Sequence, residues 1–514
     1  MKRTPRPPIL WSIGSAFLLT LLLLWTLAAR AQQPASAPAP SSELVLEGVV
    51  RGAQNQSYIK APFTVPDGVR RITLTFDYTG REQHTALDLG LLDPQGLHCW
   101  AGGNKSTLTV GLADATPSCQ PGAIPPGVWN VLIGVPNIRA GVISHYTIHI
   151  ALSSSGAVAG EPAILNPPLR KGPAWFRGDL HTHTAHSDGQ CPSQSGQMVP
   201  CPVYFTAQAA ASRGLDFVAI TDHNAASQYD AMRELQPYFD KLLLIPGREI
   251  TTFQGHINFL GSTDFVDFRL DGATVPDVNT LLRSAAAAGA ITSINHPAAP
   301  SGEICMGCGW KPSSSVDMHL LTAIEAMNGG SEPYGFNDLG FWDKQLNKGY
   351  RLTGIAGSDN HRPMQPLDQV GSVGSPTTVI YAAELSTPAI LDAIRAGHLF
   401  IDVAGTRDRL LEVTAQADGK TISAGDEIDL APGVELKLTA HLVAAAGGSM
   451  RWILDGVNMA PAENSSISTS DATTSFTWVS DGHRHWIRAE LSGPDGKPWL
   501  IANPVFLNWR AEAP

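Results

Sequence analysis

The stretch RGDLHTHTAHSDG, residues 177–189, carries two histidines one residue apart and an acidic residue shortly after them. It reads as the end of a β-strand that continues into a loop. In a strand, residues i and i+2 point to the same face, so His181 and His183 project side by side. Asp188 follows in the loop. Two imidazoles and a carboxylate are good ligands for a divalent metal ion, so this stretch is a candidate metal site.

The residues that follow alternate between strand-like and helix-like segments. The strand-like segments are 175–183, 216–222, 242–250, 256–261, 291–296, 323–328 and 352–359. The helix-like segments are 204–213, 229–239, 280–288 and 338–348. Alternating strands and helices predict parallel strands. About seven such strands predict an α/β barrel rather than an open sheet.

Polar side chains recur on these strands, mostly at their C-terminal ends. They are His181, His183, Asp222, His223, Glu249, His296, Glu325, Asn328, Asp359 and His361. Active sites of parallel α/β barrels lie at the C-terminal ends of the strands, so these side chains are expected to meet. His256 is the exception, because it begins its strand. A second His-x-His pair, His483 and His485, has no acidic residues at matching positions and is predicted to be an ordinary strand pair.

Taken in order, these motifs resemble those of the polymerase and histidinol phosphatase (PHP) superfamily. They are DLHTHT at 179–184, SDG at 187–189, ITDHN at 220–224, GREIT at 247–251, GHIN at 255–258, NHP at 295–297 and GSDNH at 357–361. The spellings GHIN and TDHN, and IRAGHLF at 394–400, most resemble the CehA/McbA-like metallohydrolase branch. The resemblance covers roughly residues 174–403. It implies a fold of class α/β, a distorted (β/α)7 barrel that holds two or three divalent metal ions.

The resemblance also implies which residues hold each ion. The first ion would be held by His181, His183, Glu249 and Asp359. Glu249 would bridge to a second ion, which is also held by His256 and His296. The third would be held by Asp188, His223 and His361. His186 is an alternative to Asp188, because histidinol phosphatase-like members carry a histidine close to that position, but the Ser-Asp-Gly context favours Asp188.

Six imidazoles and three carboxylates suit Zn, Mn or Fe better than Mg or Ca. Metal-bound hydroxide would be the nucleophile. Three carboxylates do not neutralise three divalent ions, so the site would stay positive and prefer an anionic small molecule. Phosphate ester hydrolysis fits this chemistry best. Arg362 is either a phosphate contact or an ordinary surface arginine. Asp222 is expected to orient a ligand histidine or to take part in proton transfer.

Three functions therefore remain open. The first is an exported metal-dependent phosphoesterase. The second is a hydrolase of a carbamate, amide or carboxylic ester at the same site, which the family branch also implies. The third is a non-catalytic protein that binds a surface or a carbohydrate. The formal net charge of −11 and the lack of a Lys/Arg-rich run argue against binding of a nucleic acid polymer.

The chain opens with an export signal. Lys2, Arg3 and Arg6 precede an apolar run at 9–27, and Ala-Arg-Ala at 29–31 offers a cleavage site. Residues 1–31 are therefore predicted to be a signal peptide, followed by a Pro/Ala/Ser-rich linker at 32–42. The alternative is an uncleaved membrane anchor, since the run is almost long enough to span a bilayer. The signal predicts a periplasmic or secreted protein.

The six cysteines are an even number in a chain that is predicted to be exported, which favours disulfides. Neighbour pairing is expected, joining Cys99 to Cys119, Cys191 to Cys201 and Cys305 to Cys308. Two alternatives remain. Cys305 and Cys308 form a Cys-x-x-Cys motif that is also found in redox and zinc sites, and Cys191 and Cys201 could join them in a four-thiolate zinc site.

The two flanking regions, residues 43–155 and 406–511, alternate with a period of two residues between Gly, Pro and Asp turns. This pattern predicts an all-β sandwich domain on each side of the middle region, 174–403. No catalytic role is assigned to either flanking region. Their histidines, such as His145 and His149, are expected to be ordinary strand residues.

Overall fold

The computed structural model describes residues 42–103, 105–116, 119–154, 168–264, 266–270, 275–301, 305, 307–329, 336–459 and 466–509. The predicted signal peptide and the linker up to residue 41 lie outside the described residues. Across the described ranges, no helix has both the length and the apolar character that a membrane span requires.

The N-terminal region consists of eight strands that form two antiparallel four-stranded sheets. The strands are β1 (Ser42–Arg51), β2 (Ser57–Val65), β3 (Arg71–Tyr78), β4 (Ala86–Asp93), β5 (Gly96–Gly102), β6 (Thr107–Gly111), β7 (Gly127–Asn137) and β8 (Ile143–Ser153). One sheet has the order β1-β8-β3-β6 and the other β2-β7-β4-β5. Alternate residues of both sheets, such as Leu74, Val131 and Ile148, are fully buried in a shared core. The residues between them point to the opposite face of each sheet, where Thr75 and His149, for example, are exposed.

The middle region contains the five α-helices of the described residues and twelve strands. The helices are α1 (Val203–Arg213), α2 (Gln228–Leu235), α3 (Val278–Ala287), α4 (Leu339–Asn347) and α5 (Thr387–Ala396). The strands are β9 (Arg170–Asp179), β10 (Gln190–Pro192), β11 (Met198–Pro200), β12 (Phe217–Ile220), β13 (Leu243–Thr252), β14 (Gly255–Leu260), β15 (Ile291–Ile294), β16 (Ala323–Asn328), β17 (Phe336–Asn337), β18 (Thr353–Gly357), β19 (Thr377–Leu385) and β20 (Leu399–Asp402).

The C-terminal region adds ten strands. They are β21 (Leu410–Ala417), β22 (Lys420–Ser423), β23 (Glu427–Ile428), β24 (Glu435–Val443), β25 (Ser449–Leu454), β26 (Val457–Asn458), β27 (Asp471–Val479), β28 (His485–Ser492), β29 (Pro498–Ala502) and β30 (Val505–Leu507). Strands β22-β21-β24-β27 form a separate four-stranded sheet. The other strands of this region continue the sheet of the middle region, because β20 pairs with β29 and places Phe400 opposite Ala502. The predicted boundary near residue 406 therefore does not interrupt the sheet.

The prediction of an α/β fold with a (β/α)7 barrel is wrong. Of the described residues, 45% lie in strands and only 13% in helices. Apart from β10 and β11, which form a separate two-stranded sheet, the strands of the middle region belong to one mixed sixteen-stranded sheet. Its order is β17-β16-β15-β14-β13-β12-β9-β19-β20-β29-β28-β25-β26. In addition, β18 pairs with β16, and β30 pairs with β28 and β23. Among the described strands of the middle region, only four neighbouring pairs are parallel. They are β9 with β12, β12 with β13, β15 with β16, and β16 with β18.

The reason for the error lies in the connections between strands. A parallel pair needs a crossover of a dozen or more residues, whereas an antiparallel pair can be joined by a two-residue hairpin. Only Phe253 and Gln254 separate β13 from β14, so these strands are antiparallel, and β14 is also antiparallel to β15. Hydrophobic patterning locates strands but carries no information about their direction.

The N-terminal region is attached to the middle region through buried charges. Asp114 accepts hydrogen bonds from Arg71 Nη2 at 2.6 Å and from Thr263 Oγ1 at 3.2 Å, and it also pairs with Arg233 of α2. Burial alone would raise the pKa of Asp114, but Arg233 and Arg71 lower it. Asp230 of α2 adds a second link by accepting a hydrogen bond from the backbone of the residue after Asp114. A carboxylate with these partners holds the two regions in one arrangement.

The predicted neighbour pairing of the cysteines is confirmed. The disulfides join Cys99 to Cys119, Cys191 to Cys201 and Cys305 to Cys308. The alternative four-thiolate zinc site is thereby excluded for this structure, in which no described cysteine is free. Disulfides are compatible with an exported protein.

Candidate metal centre

The ends of β9 and β18 lie side by side and deliver the first ligand-type residues. His181 O accepts a hydrogen bond from the backbone N–H of Asp359, and His183 N–H donates to Asn360 O, both at 2.9 Å. The buried carboxylate of Asp179 stabilises this junction, since it accepts backbone hydrogen bonds from His181 and from the residue before Asp359. His181 and His183 are therefore fixed next to Asp359 by backbone pairing and are fully buried.

Strand direction explains why His256 lies near the start of a strand rather than at its end. His223, just after β12, forms a parallel bridge with Glu249 of β13. His256 lies opposite Thr251 in the antiparallel pair of β13 and β14. Because β14 runs in the opposite direction, its first residues lie at the same edge as the last residues of β13. The residue that broke the predicted pattern is therefore in the same cluster as the others.

All nine residues predicted as metal ligands come together. Their ligand atoms form four overlapping groups in which the atoms lie within 4.8 Å of one another. The groups are His183, Asp188, His223 and His361; His181, Glu249 and His296; His181, His183 and Asp359; and His223, Glu249 and His256. These groups could hold metal ions. Mixed nitrogen and oxygen ligands of this kind suit transition metals and zinc.

Glu249 lies at the centre of the cluster with its side chain fully buried. Its Oε1 is 3.1 Å from His256 Nδ1 and 3.3 Å from His296 Nε2. Its Oε2 is 3.4 Å from His181 Nε2 and 2.8 Å from His223 Nδ1. Since the two oxygens face different imidazoles, this carboxylate has the geometry needed to contact two ions at once.

Two further carboxylates extend the cluster towards solvent. Asp359 Oδ1 is 3.3 Å from His181 Nε2 and 3.1 Å from His183 Nε2. Asp188 Oδ1 is 3.2 Å from His361 Nε2 and 3.8 Å from His223 Nε2. The Asp188 side chain is 57% exposed, whereas that of His181 is fully buried. The cluster therefore opens to solvent on the Asp188 side.

The charges within the cluster shift the pKa values of its histidines in opposite directions. Burial alone would lower the pKa of His296, but its hydrogen bond to Glu249 and nearby carboxylates raise it to about 9. His361 likewise has its pKa raised to about 9 against the effect of burial, mainly by its hydrogen bond to Asp188. Burial and the neighbouring His361 lower the pKa of His183 to about 4.

The buried carboxylates respond in the complementary way. Burial alone would raise the pKa of Glu249, but the charge of His223 and other imidazoles hold it well below its usual range. Asp359 is affected in the same way, chiefly by His181. Ligands must be deprotonated to bind a metal ion. These carboxylates are already ionised, so only the imidazoles would have to release protons when a metal ion binds.

Buried atoms without a hydrogen-bond partner indicate that the cluster fits metal ions. Within the described residues, His181 Nε2 and His256 Nε2 are buried and have no such partner. The other nitrogen of His181, Nδ1, is 2.7 Å from Glu325 Oε1. A carboxylate on one ring nitrogen leaves the other free to bind a metal and fixes the orientation of the ring. The donor set and its orphaned atoms therefore fit divalent metal ions.

The two residues predicted to be catalytic occupy different places. Asp222 is fully buried and accepts hydrogen bonds from Thr184 N–H at 2.8 Å and from Ser187 Oγ at 2.7 Å. Ser187 Oγ lies 3.4 Å from His183 Nδ1, so Asp222 reaches a ligand histidine through this hydroxyl. Arg362 is exposed directly after His361, at the solvent side of the cluster.

His186, the alternative to Asp188, lies outside the ligand groups. His186 Nδ1 is 2.7 Å from Ser227 Oγ and belongs to none of the ligand groups, whereas Asp188 does. His485 of the second His-x-His pair lies between Asp455 and Asp481, at 2.5 and 3.1 Å. Asp455 lies in the turn after β25, and Asp481 lies four residues before His485. Among the described residues, no group of three potential metal ligands includes His485.

Three residues that support the cluster had no role assigned from the sequence. They are Glu325 and Asn328, which were noted only as polar strand residues, and Asn295. Glu325 holds His181, and its Oε2 also accepts hydrogen bonds from the backbone N–H of His296 at 3.1 Å and from Asn328 Nδ2 at 2.9 Å. Asn295 Nδ2 donates to Glu249 Oε1 at 2.9 Å. The available signal for Glu325 was a single carboxylate within the buried apolar strand β16. A charged residue is rarely buried in such a strand unless it is paired.

Glu325→Gln is expected to weaken metal binding by about 10- to 100-fold, the usual effect of losing an outer carboxylate that orients a ligand histidine. Zinc affinity, measured by competition with a chelator, checks this result. Glu427→Gln is the matched control, because Glu427 is exposed and pairs with Arg351 on the surface. Equal zinc affinities of Glu325→Gln and the wild type would contradict a role for Glu325 in orienting His181.

Comparison with known proteins does not assign this chain to a family. No family model matches the chain, and no curated protein matches it. PsfC from Pseudomonas syringae PB-5123 is 17% identical, with a match that covers 43% of this chain and 88% of PsfC at a TM-score of 0.27. PliG from Aeromonas hydrophila, a periplasmic inhibitor of g-type lysozyme, is 10% identical, with coverage of 22% and 88% and a TM-score of 0.15. Similarities at these TM-scores carry no argument about this chain.

Proposed function

We propose that this protein is an exported metal-dependent hydrolase that cleaves phosphate esters. The observation that carries the proposal is the gathering of six imidazoles and three carboxylates around Glu249, whose two oxygens face different imidazoles. A carboxylate placed in this way would be a ligand for divalent ions, together with the imidazoles on either side of it. The resemblance of the motifs to those of the PHP superfamily supports the same reading.

Divalent ions bound in such a cluster would lower the pKa of water and neutralise negative charge on the substrate. The protein supplies the rest. Glu325 and Asp222 hold the rings of His181 and His183 in place, the second through Ser187. Fixed ligands need no reorganisation during the reaction, which is the main source of electrostatic catalysis.

The exposure of the ligands favours entry of the substrate from one side. The side chains of Asp188, His361 and His223 are 57%, 34% and 27% exposed, whereas that of Glu249 is fully buried. Three carboxylates cannot neutralise three divalent ions, so a loaded site would attract an anionic group at this opening. Arg362, exposed directly after His361, would add a charge-assisted hydrogen bond to a phosphate oxygen.

A direct substrate comparison tests the proposal. The purified protein, loaded with Zn or Mn, is assayed with p-nitrophenyl phosphate, bis-p-nitrophenyl phosphate and 1-naphthyl N-methylcarbamate. Metal-dependent release of p-nitrophenol from one of the phosphate esters, abolished by a chelator and restored by the metal, is expected. Hydrolysis of the carbamate alone would replace the phosphoesterase with a carbamate hydrolase. No turnover of any of the three by fully loaded protein would overturn the proposal.

A further inference from the structure

The outer face of the β2-β7-β4-β5 sheet carries an unusual set of residues. The ladder places Tyr58 of β2 and Asp88 of β4 on either side of Gly134 of β7. One row along, Gly90 of β4 lies opposite Trp100 of β5. The neighbouring residues of these strands alternate into the buried core, so this set faces away from it.

The two glycines allow the indole of Trp100 to lie against the sheet. A Cβ atom on Gly90 would come within 2.7 Å of Trp100 Cε3, and one on Gly134 within 2.9 Å of Trp100 Cη2. The six-membered ring of the indole therefore covers both glycine positions. Any other residue at either position would push the ring off the sheet.

Tyr58 forms a second wall beside this ring. The two ring centroids are 5.9 Å apart and the rings are inclined by 62°, so the aromatic surfaces form a corner. Tyr58 is 70% exposed. The Asp88 carboxylate adjoins the corner, since its Oδ2 is 3.3 Å from the position that a Cβ of Gly134 would take. Lys60, two residues after Tyr58 on β2, is exposed on the same face.

We propose that this aromatic corner, formed by Tyr58, Trp100 and Asp88, binds a neutral carbohydrate chain. One face of a pyranose ring is flat and presents C–H groups, which pack on an aromatic ring, while its hydroxyl groups point sideways to hydrogen-bonding groups. The corner offers that combination of an aromatic floor, an aromatic wall and a carboxylate acceptor. A polyanionic ligand is disfavoured, because Asp88 lies at the corner and the net charge is −11.

The competing explanation is local packing. An aromatic side chain often covers glycines in a sheet and stabilises the strand pairs around them. That role explains Trp100, but it does not require Tyr58 to remain exposed beside it. Binding measurements separate the two explanations, since a purely structural Trp100 would affect stability and not affinity for a sugar.

The experiment uses the exported form of the full chain. Isothermal titration calorimetry is carried out with cellohexaose, xylohexaose, chitohexaose and maltohexaose. At least one should bind, and Trp100→Ala should lower its affinity by about tenfold or more, equivalent to ~1.4 kcal/mol. Tyr58→Ala, at an exposed position, should lower the affinity in the same direction. Turnover of p-nitrophenyl phosphate should not change in either variant.

Leu97→Ala is the control, because Leu97 lies on β5 with 64% exposure but is not part of the aromatic corner. It should bind as the wild type does. The proposal fails if none of the four oligosaccharides binds. It also fails if one binds and the folded Tyr58→Ala variant retains the wild-type affinity. Neither result bears on the metal-dependent activity, which is measured separately.

Discussion

Glu249→Gln is expected to remove at least one metal ion from the protein and to reduce turnover by at least about 100-fold, the range seen when a preorganised electrostatic contact is lost. The substitution keeps the size of the side chain and removes its charge. Glu249 Oε1 faces His256 and His296, while Oε2 faces His181 and His223. A neutral amide in that position leaves two sets of imidazoles without a shared anionic ligand.

Metal analysis of the folded variant and initial rates on p-nitrophenyl phosphate measure the two effects separately. His485→Ala is the matched control, since His485 also lies between two carboxylates but belongs to no group of three ligands within the described residues. It should retain both its metal content and its turnover. Full metal occupancy together with wild-type turnover in Glu249→Gln would contradict the multinuclear mechanism.

Asp114→Ala is expected to lower the free energy of unfolding by about 3–5 kcal/mol, the usual effect of removing one partner from a buried ion pair. Asp114 is fully buried between Arg71 of β3 and Arg233 of α2. Without the carboxylate, two buried guanidinium groups lose their common counter-charge. The loss should weaken the attachment of the N-terminal region to the middle region.

Urea unfolding followed by tryptophan fluorescence measures the change, and limited proteolysis reports whether the two regions separate. Asp392→Ala is the control, because Asp392 forms an exposed pair with Arg395 three residues away. Exposed pairs of this kind contribute little to stability, so its unfolding curve should match that of the wild type. An unchanged curve for Asp114→Ala would mean that this carboxylate does not hold the two regions together.

The sequence predicted much of the candidate site because metal ligands are restricted in chemistry. Few residue types bind divalent ions, and their recurrence at the ends of apolar segments is visible without any knowledge of the fold. The strand segments themselves were also visible, since β16 has the expected bounds and β14 begins one residue before the expected start. The family resemblance implied that Glu249 lies with His256 and His296, as its Oε1 does. It assigned His223 to a third ion, whereas the structure places His223 2.8 Å from Glu249 Oε2.

The sequence alone determined the identities and chain order of the ligand-type residues. It also predicted an export signal and neighbouring cysteine pairs, and the structure confirmed the pairs. The direction of β14, the continuity of the sheet from β20 to β29 and the carboxylate of Glu325 on His181 were decided by the tertiary structure. Apolar periodicity records which face of a strand is buried. It contains no information about which strand lies next to it or in which direction that neighbour runs.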